Sequence, residues 1–77
     1  MQDSMNVLVH INEELDSDHR KQFSSDICGC VGVLSVDLKE ERPHLMMVAY
    51  DSLKIRSLDV LANVQNQGVH AQLVGWL

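Results

Sequence analysis

The stretch Val48-Ala49-Tyr50-Asp51-Ser52, followed by Ser57 to Gly68 and then Val69-His70-Ala71-Gln72-Leu73-Val74-Gly75, decides the fold. Its first part is a strand-forming run closed by a polar turn. Its middle part sets Leu58, Leu61, Ala62 and Val64-Gln65 at helical spacing behind Ser57, a residue suited to cap a helix. Gly68 ends that helix, because glycine enters the left-handed cap without a Cβ penalty. The final part alternates. Val69, Ala71 and Leu73 fall on one face, and His70, Gln72 and Val74 on the other. The reading is strand, helix, glycine turn and strand, with the last strand running from 69 to 76.

The same logic extends towards the N-terminus. Residues 5–11 alternate, with Met5, Val7, Val9 and Ile11 on one face and Asn6, Leu8 and His10 on the other. Asp16 or Ser17 can cap a first helix, whose apolar stripe is His19, Phe23, Ile27 and Cys30. Gly29 and Gly32 are placed to end it. Val33 to Leu38 reads as a second strand with Val36 and Leu38 inward. A charged connection, Lys39 to Pro43, leads to a third strand from His44 to Tyr50. So short a link makes strands two and three an antiparallel hairpin. The order is βαββαβ. Right-handed crossovers turn it into an α+β ferredoxin-like sandwich, a four-stranded antiparallel sheet with two helices on one face. Residues 1–77 are expected to form one domain.

Composition bounds the function. The chain carries six Lys and Arg against eleven Asp and Glu, a net charge of −5. An acidic balance argues against nucleic acid, whose binding needs a basic surface. No apolar run approaches the length of a membrane span, so no membrane insertion is expected. The N-terminus lacks the basic and apolar segments of a signal peptide. Two cysteines, Cys28 and Cys30, are too few and too close for a disulfide framework. These features point to a soluble protein of a reducing compartment, the cytoplasm. No glycine-rich phosphate loop or nucleophile elbow occurs, and no enzyme activity is expected.

Gly32-Val33-Leu34-Ser35-Val36-Asp37-Leu38, Val48-Ala49-Tyr50-Asp51, Leu61-Ala62 and Gly68-Val69-His70-Ala71-Gln72-Leu73-Val74 carry a resemblance. Over nearly the whole chain they resemble the heavy-metal-associated domain, the fold of copper metallochaperones and of N-terminal modules of metal-pumping ATPases. The resemblance implies a Met-x-Cys-x-x-Cys loop before the first helix, whose two thiolates bind a soft ion. The family's spacing, counted back from Gly32, brings that loop to Asp16-Ser17-Asp18-His19. Its two cysteine positions here read Asp16 and His19. No residue of the family's metal site carries over, and the setting implied is metal homeostasis.

Several residues remain as candidates for chemistry. Asp16, Asp18 and His19 form a nitrogen and oxygen cluster able to hold a harder ion, although capping explains the aspartates equally. Cys28 is a partly exposed thiol near Cys30, which reads as a small buried hydrophobe. His10 and His70 fall on the open faces of neighbouring strands. If the register sets them opposite, two imidazoles can chelate a borderline metal; otherwise they are two separate surface histidines. No cofactor is required by any motif, and a divalent transition metal or copper is the ion these residues would admit. The open sheet face should show Leu8, His10, Ser35, Met47, Ala49, Gln72 and Val74. Apolar residues on an uncovered face mark a protein contact, either a partner or a second copy, unless they are merely a mixed surface. Trp76 and Leu77 are placed to join that contact.

Overall fold

A computed structural model of the chain describes residues 4–38 and 41–76. Lys39, Glu40 and Leu77, together with the Trp76 side chain expected at the contact, lie outside the described set. The elements are β1 (Ser4–Ile11), α1 (Ser17–Cys28), β2 (Val33–Leu38), β3 (Leu45–Asp51), α2 (Ser57–Gln65) and β4 (Ala71–Trp76). The strands form one antiparallel sheet in the order β2-β3-β1-β4, which is the expected ferredoxin-like arrangement.

Alternation decides which side of the sheet is covered. Val7, Val9 and Ile11 of β1 and Met46, Val48 and Tyr50 of β3 are buried under the helices. Phe23 and Ile27 of α1 and Val60 and Val64 of α2 meet them. Burying each such side chain stabilises by roughly 1.5–3 kcal/mol. Val33, Val36 and Leu38 close the core from β2, and Val69, Ala71 and Leu73 close it from the β4 side.

The departures from expectation are local. Met5 is exposed, because it lies beyond the part of β1 that the helices cover. α1 ends at Cys28, so Cys30 is a half-buried turn residue rather than the end of a helical stripe. His19 also leaves that stripe, with its side chain 76% exposed. In α2 the buried residues are Val60 and Val64, while Leu58 faces outward. Arg56, not Ser57, occupies the N-cap, and its backbone N–H donates to the Asp59 carboxylate at 2.9 Å. β3 starts at Leu45 and β4 at Ala71, each later than alternation suggested.

Gly29 caps α1 in ordinary right-handed geometry. Gly32, by contrast, has φ +83°, and a Cβ there would lie 2.8 Å from Ile55 Cγ2. The backbone passes so close because the Asp51 N–H donates to the Gly32 carbonyl at 2.8 Å, tying the two lower loops together. α2 ends at Gln65 with Asn66 as its cap, two residues before Gly68, which at φ +89° turns the chain towards β4 rather than capping the helix itself.

Candidate functional site

The loop between β1 and α1 is where the resemblance locates a metal site. Asp16 Oδ1 accepts the His19 backbone N–H at 2.8 Å and lies 3.0 Å from His19 Nδ1. The His19 N–H holds the Asp16 carboxyl below its ordinary value. Asp16 is thus occupied as the helix cap, and Asp18 and His19 point into solvent. Arg20 closes the loop by donating from Nη1 to the Leu15 carbonyl at 3.0 Å. No thiol is near, since Cys28 stands at the far end of a twelve-residue helix, about 18 Å away at 1.5 Å per residue. Cys30 Sγ donates weakly to the Asp26 carbonyl at 3.5 Å. Asp16, His19 and Cys28 therefore do not converge, and the donor set does not suit a soft ion held by thiolates. Among the described residues no group of three or more His, Cys, Asp and Glu is arranged to hold a metal ion.

His10 and His70 do not face each other. The register pairs His10 with Gln72 and Ile11 with Ala71. The Asn12 N–H donates to the His70 carbonyl at 2.8 Å, which carries His70 two places along the ladder from His10. His70 is held by Glu13 instead. The Glu13 carboxylate accepts the His70 backbone N–H at 2.8 Å and lies 2.8 Å from His70 Nδ1. A carboxylate only accepts, so Nδ1 carries the proton in this contact. The His70 backbone N–H, and then its ring, hold the Glu13 carboxyl below its ordinary value.

The neighbour of His10 is His44. Their ring centroids lie 5.9 Å apart, with the planes 17° from parallel. His44 occupies the turn before β3, with Nδ1 2.9 Å from the Ile11 carbonyl oxygen. His44 heads the third strand in the sequence reading, and it takes the β1–β3 register to bring its ring beside His10. Glu13 was hidden, being 57 positions from His70 in sequence.

The open sheet face is largely as alternation drew it. Leu8 stands opposite Met47, Asn6 opposite Ala49, and Ser35 opposite Ala49 on the other side. Leu8, Met47 and Ala49 are half-buried, whereas Gln72 and Val74 are exposed. Leu45, opposite His10, belongs to this face too; its two-residue spacing from Met47 is the signal that would have found it. Leu8, Leu45 and Met47 floor a shallow hollow rimmed by Asp37, Glu41 and Arg42. Among the described residues no helix is long and apolar enough to cross a membrane.

No protein-family model matches this sequence, and no curated protein sequence does. The fold does have counterparts among solved structures. A copper binding domain from HMA7, a P-type ATPase, superposes with a TM-score of 0.83 at 11% identity, covering 94% of this chain and 96% of that one. Oxidized MerP from Ralstonia metallidurans CH34 gives 0.80 at 17% identity, covering 94% and 99%. The Cu(I)-loaded first domain of the human copper chaperone for SOD1 gives 0.77 at 19% identity, covering 96% and 97%. At such identities the likeness establishes the shared fold.

Proposed function

We propose that this chain is a single heavy-metal-associated-type domain, not an enzyme, that associates with a second copy or a protein partner through its open sheet face. The proposed setting is metal homeostasis in the cytoplasm. The observation that carries the reading is the uncovered face itself. Leu8, Leu45, Met47 and Ala49 lie together there without a helix over them. Contiguous apolar surface rimmed by charge is what protein contacts are built from.

A second copy is the occupant best supported. The rim of the hollow carries both signs, Asp37 and Glu41 beside Arg42. A two-fold pairing that set the Arg42 of each copy against the Glu41 of the other would give the self-complementarity an isologous dimer needs. The setting draws support from the neighbours, several of which are copper-binding domains. The thiolate pair implied by the resemblance has no counterpart in the pre-helix loop, which supplies Asp16 and His19. Metal trafficking through His10, His70, Asp16, His19 and Cys28 as one site has no geometric support, since these residues lie in separate places.

Native mass spectrometry across a concentration series tests the reading. The unmodified chain is expected to form dimers, and Met47→Lys and Val74→Glu are each expected to weaken them at least about tenfold, the effect of an unpaired charge in an apolar contact. A chain that stays monomeric at high concentration and captures no partner would sink it.

A further inference from the structure

The four histidines of the chain are held in two different ways. His19 and His70 each stand against a carboxylate, Asp16 at 3.0 Å and Glu13 at 2.8 Å, which favours a positive ring. His10 and His44 stand against each other. Their planes lie 17° from parallel and their centroids 5.9 Å apart, the offset stack that two neutral rings favour. Among the described residues no carboxylate pairs with either of them.

The groups around the stack leave it without a counter-charge in contact. His10 stands opposite Leu45 on β3 and Gln72 on β4. Asp37 of β2, with Glu41 and Arg42 of the β2–β3 connection, rims the neighbouring hollow. Glu13 and Asp16, beyond the end of β1, are engaged by His70 and His19. Asp18 at the start of α1 is exposed, and α1 and α2 cover the other face of the sheet.

The two rings answer a proton differently. The Ile11 carbonyl oxygen has no proton to give, so His44 Nδ1, 2.9 Å away, is the donor. That bond needs only the Nδ1 proton, which the charged ring also has. His44 therefore keeps its place in both states and takes its second proton on Nε2. His10 Nδ1 is enclosed and has no hydrogen-bond partner. A neutral His10 can leave that nitrogen bare by carrying its proton on Nε2. A charged His10 cannot, because both nitrogens then donate, and an enclosed donor with nothing to accept it is costly. Like charges on stacked rings also repel.

We propose that His10 and His44 form a proton-operated latch at one end of the open face. The latch is closed while the rings are neutral. It opens when both are charged, by His10 turning out to water while His44 stays on the Ile11 carbonyl. Imidazole is the side chain that changes charge between about pH 5 and 8, so mild acid is the signal. Opening replaces a stacked ring beside Leu45 with an exposed charge, at the border of the apolar surface. The latch belongs to the single chain and stands whether or not the face associates.

Nuclear magnetic resonance on the full-length ¹³C,¹⁵N-labelled chain tests it by acid titration from about pH 7.5. Long-range ¹H–¹⁵N spectra follow the charge on each ring, and Overhauser contacts between the rings follow the stack. The contacts are expected at the start and lost once both rings are charged, with the core methyl signals of Val48 in place. Over the same range His44 keeps its contact with Ile11, and a soluble paramagnetic probe begins to broaden the His10 ring protons. His10→Phe, which keeps a flat ring but takes no proton, is expected to hold its contact with His44 throughout. If that variant does not fold, the titration of the unmodified chain decides alone. Ring contacts that persist across the whole folded range, that vanish only with global unfolding, or that vanish at the same pH in His10→Phe overturn the proposal.

Discussion

The two faces of this sheet are built from the same strands and behave oppositely. On the helix side Val7, Val9, Ile11, Met46 and Val48 have no exposed surface, and their neighbours fit around them. On the other side Leu8, Leu45, Met47 and Ala49 come one residue later or earlier and stay half-uncovered. Chemistry differs little between the two sets; coverage by α1 and α2 separates them. A position on the covered face is bound by packing, and a position on the open face is available for contact.

Adjacent methionines give the sharpest way to break that contrast. Met46→Ala, which opens a cavity in the core, should cost about 2–5 kcal/mol in urea unfolding. Met47→Ala, one residue away, should cost less than about 1 kcal/mol in the monomer. Equal losses would mean that the open face is packed as tightly as the covered one. Gly32→Ala comes next, at about 1–3 kcal/mol, because the new methyl meets Ile55 and the backbone sits at φ +83°. Gly75→Ala, on the open side with nothing near its missing Cβ, is the matched control and should lose far less.

Smaller effects come from the exposed contacts near the β1–α1 loop. The Glu13 carboxyl is held below its ordinary value of 4.5, so its folded form favours the ionised state. The contribution of the Glu13–His70 contact is therefore full above that ordinary value and fades as the pH falls through the folded one. Amide exchange at His70, corrected for intrinsic rate, should quicken on acidification below about pH 4.5 and also in Glu13→Gln at neutral pH. Protection unchanged in both would show that Glu13 does not hold this strand end. Asp16→Ala should lower the helicity of the first turn of α1, read from backbone chemical shifts, with the smallest change in stability of the series.

Alternation and glycine turns made the architecture legible, since Val7-Val9-Ile11 and Ala71-Leu73 have one side that must be buried. The covered face was therefore readable almost residue by residue. The pairings that matter for a site were not. His10 finds His44 only once β1 and β3 are in register, and a slip of one residue reverses every side chain. Alternation places His70 on the fourth strand, but Glu13 takes its N–H before β4 begins. Long-range hydrogen bonds of this kind leave no periodic trace in sequence.

Two irregularities in the ladders carry a consequence of their own. Between β1 and β4 the pairing steps from Leu8–Gly75 to Val9–Leu73, leaving Val74 as an extra residue. Between β2 and β3 it steps from Val33–Tyr50 to Ser35–Ala49, leaving Leu34 extra. β2 and β4 are the two outer strands of the sheet. An inserted residue twists a margin and breaks its row of unpaired main-chain groups, which makes it a poor template for another strand. Each outer strand thus carries a built-in interruption of the ladder that strand-by-strand, open-ended fibre growth would need.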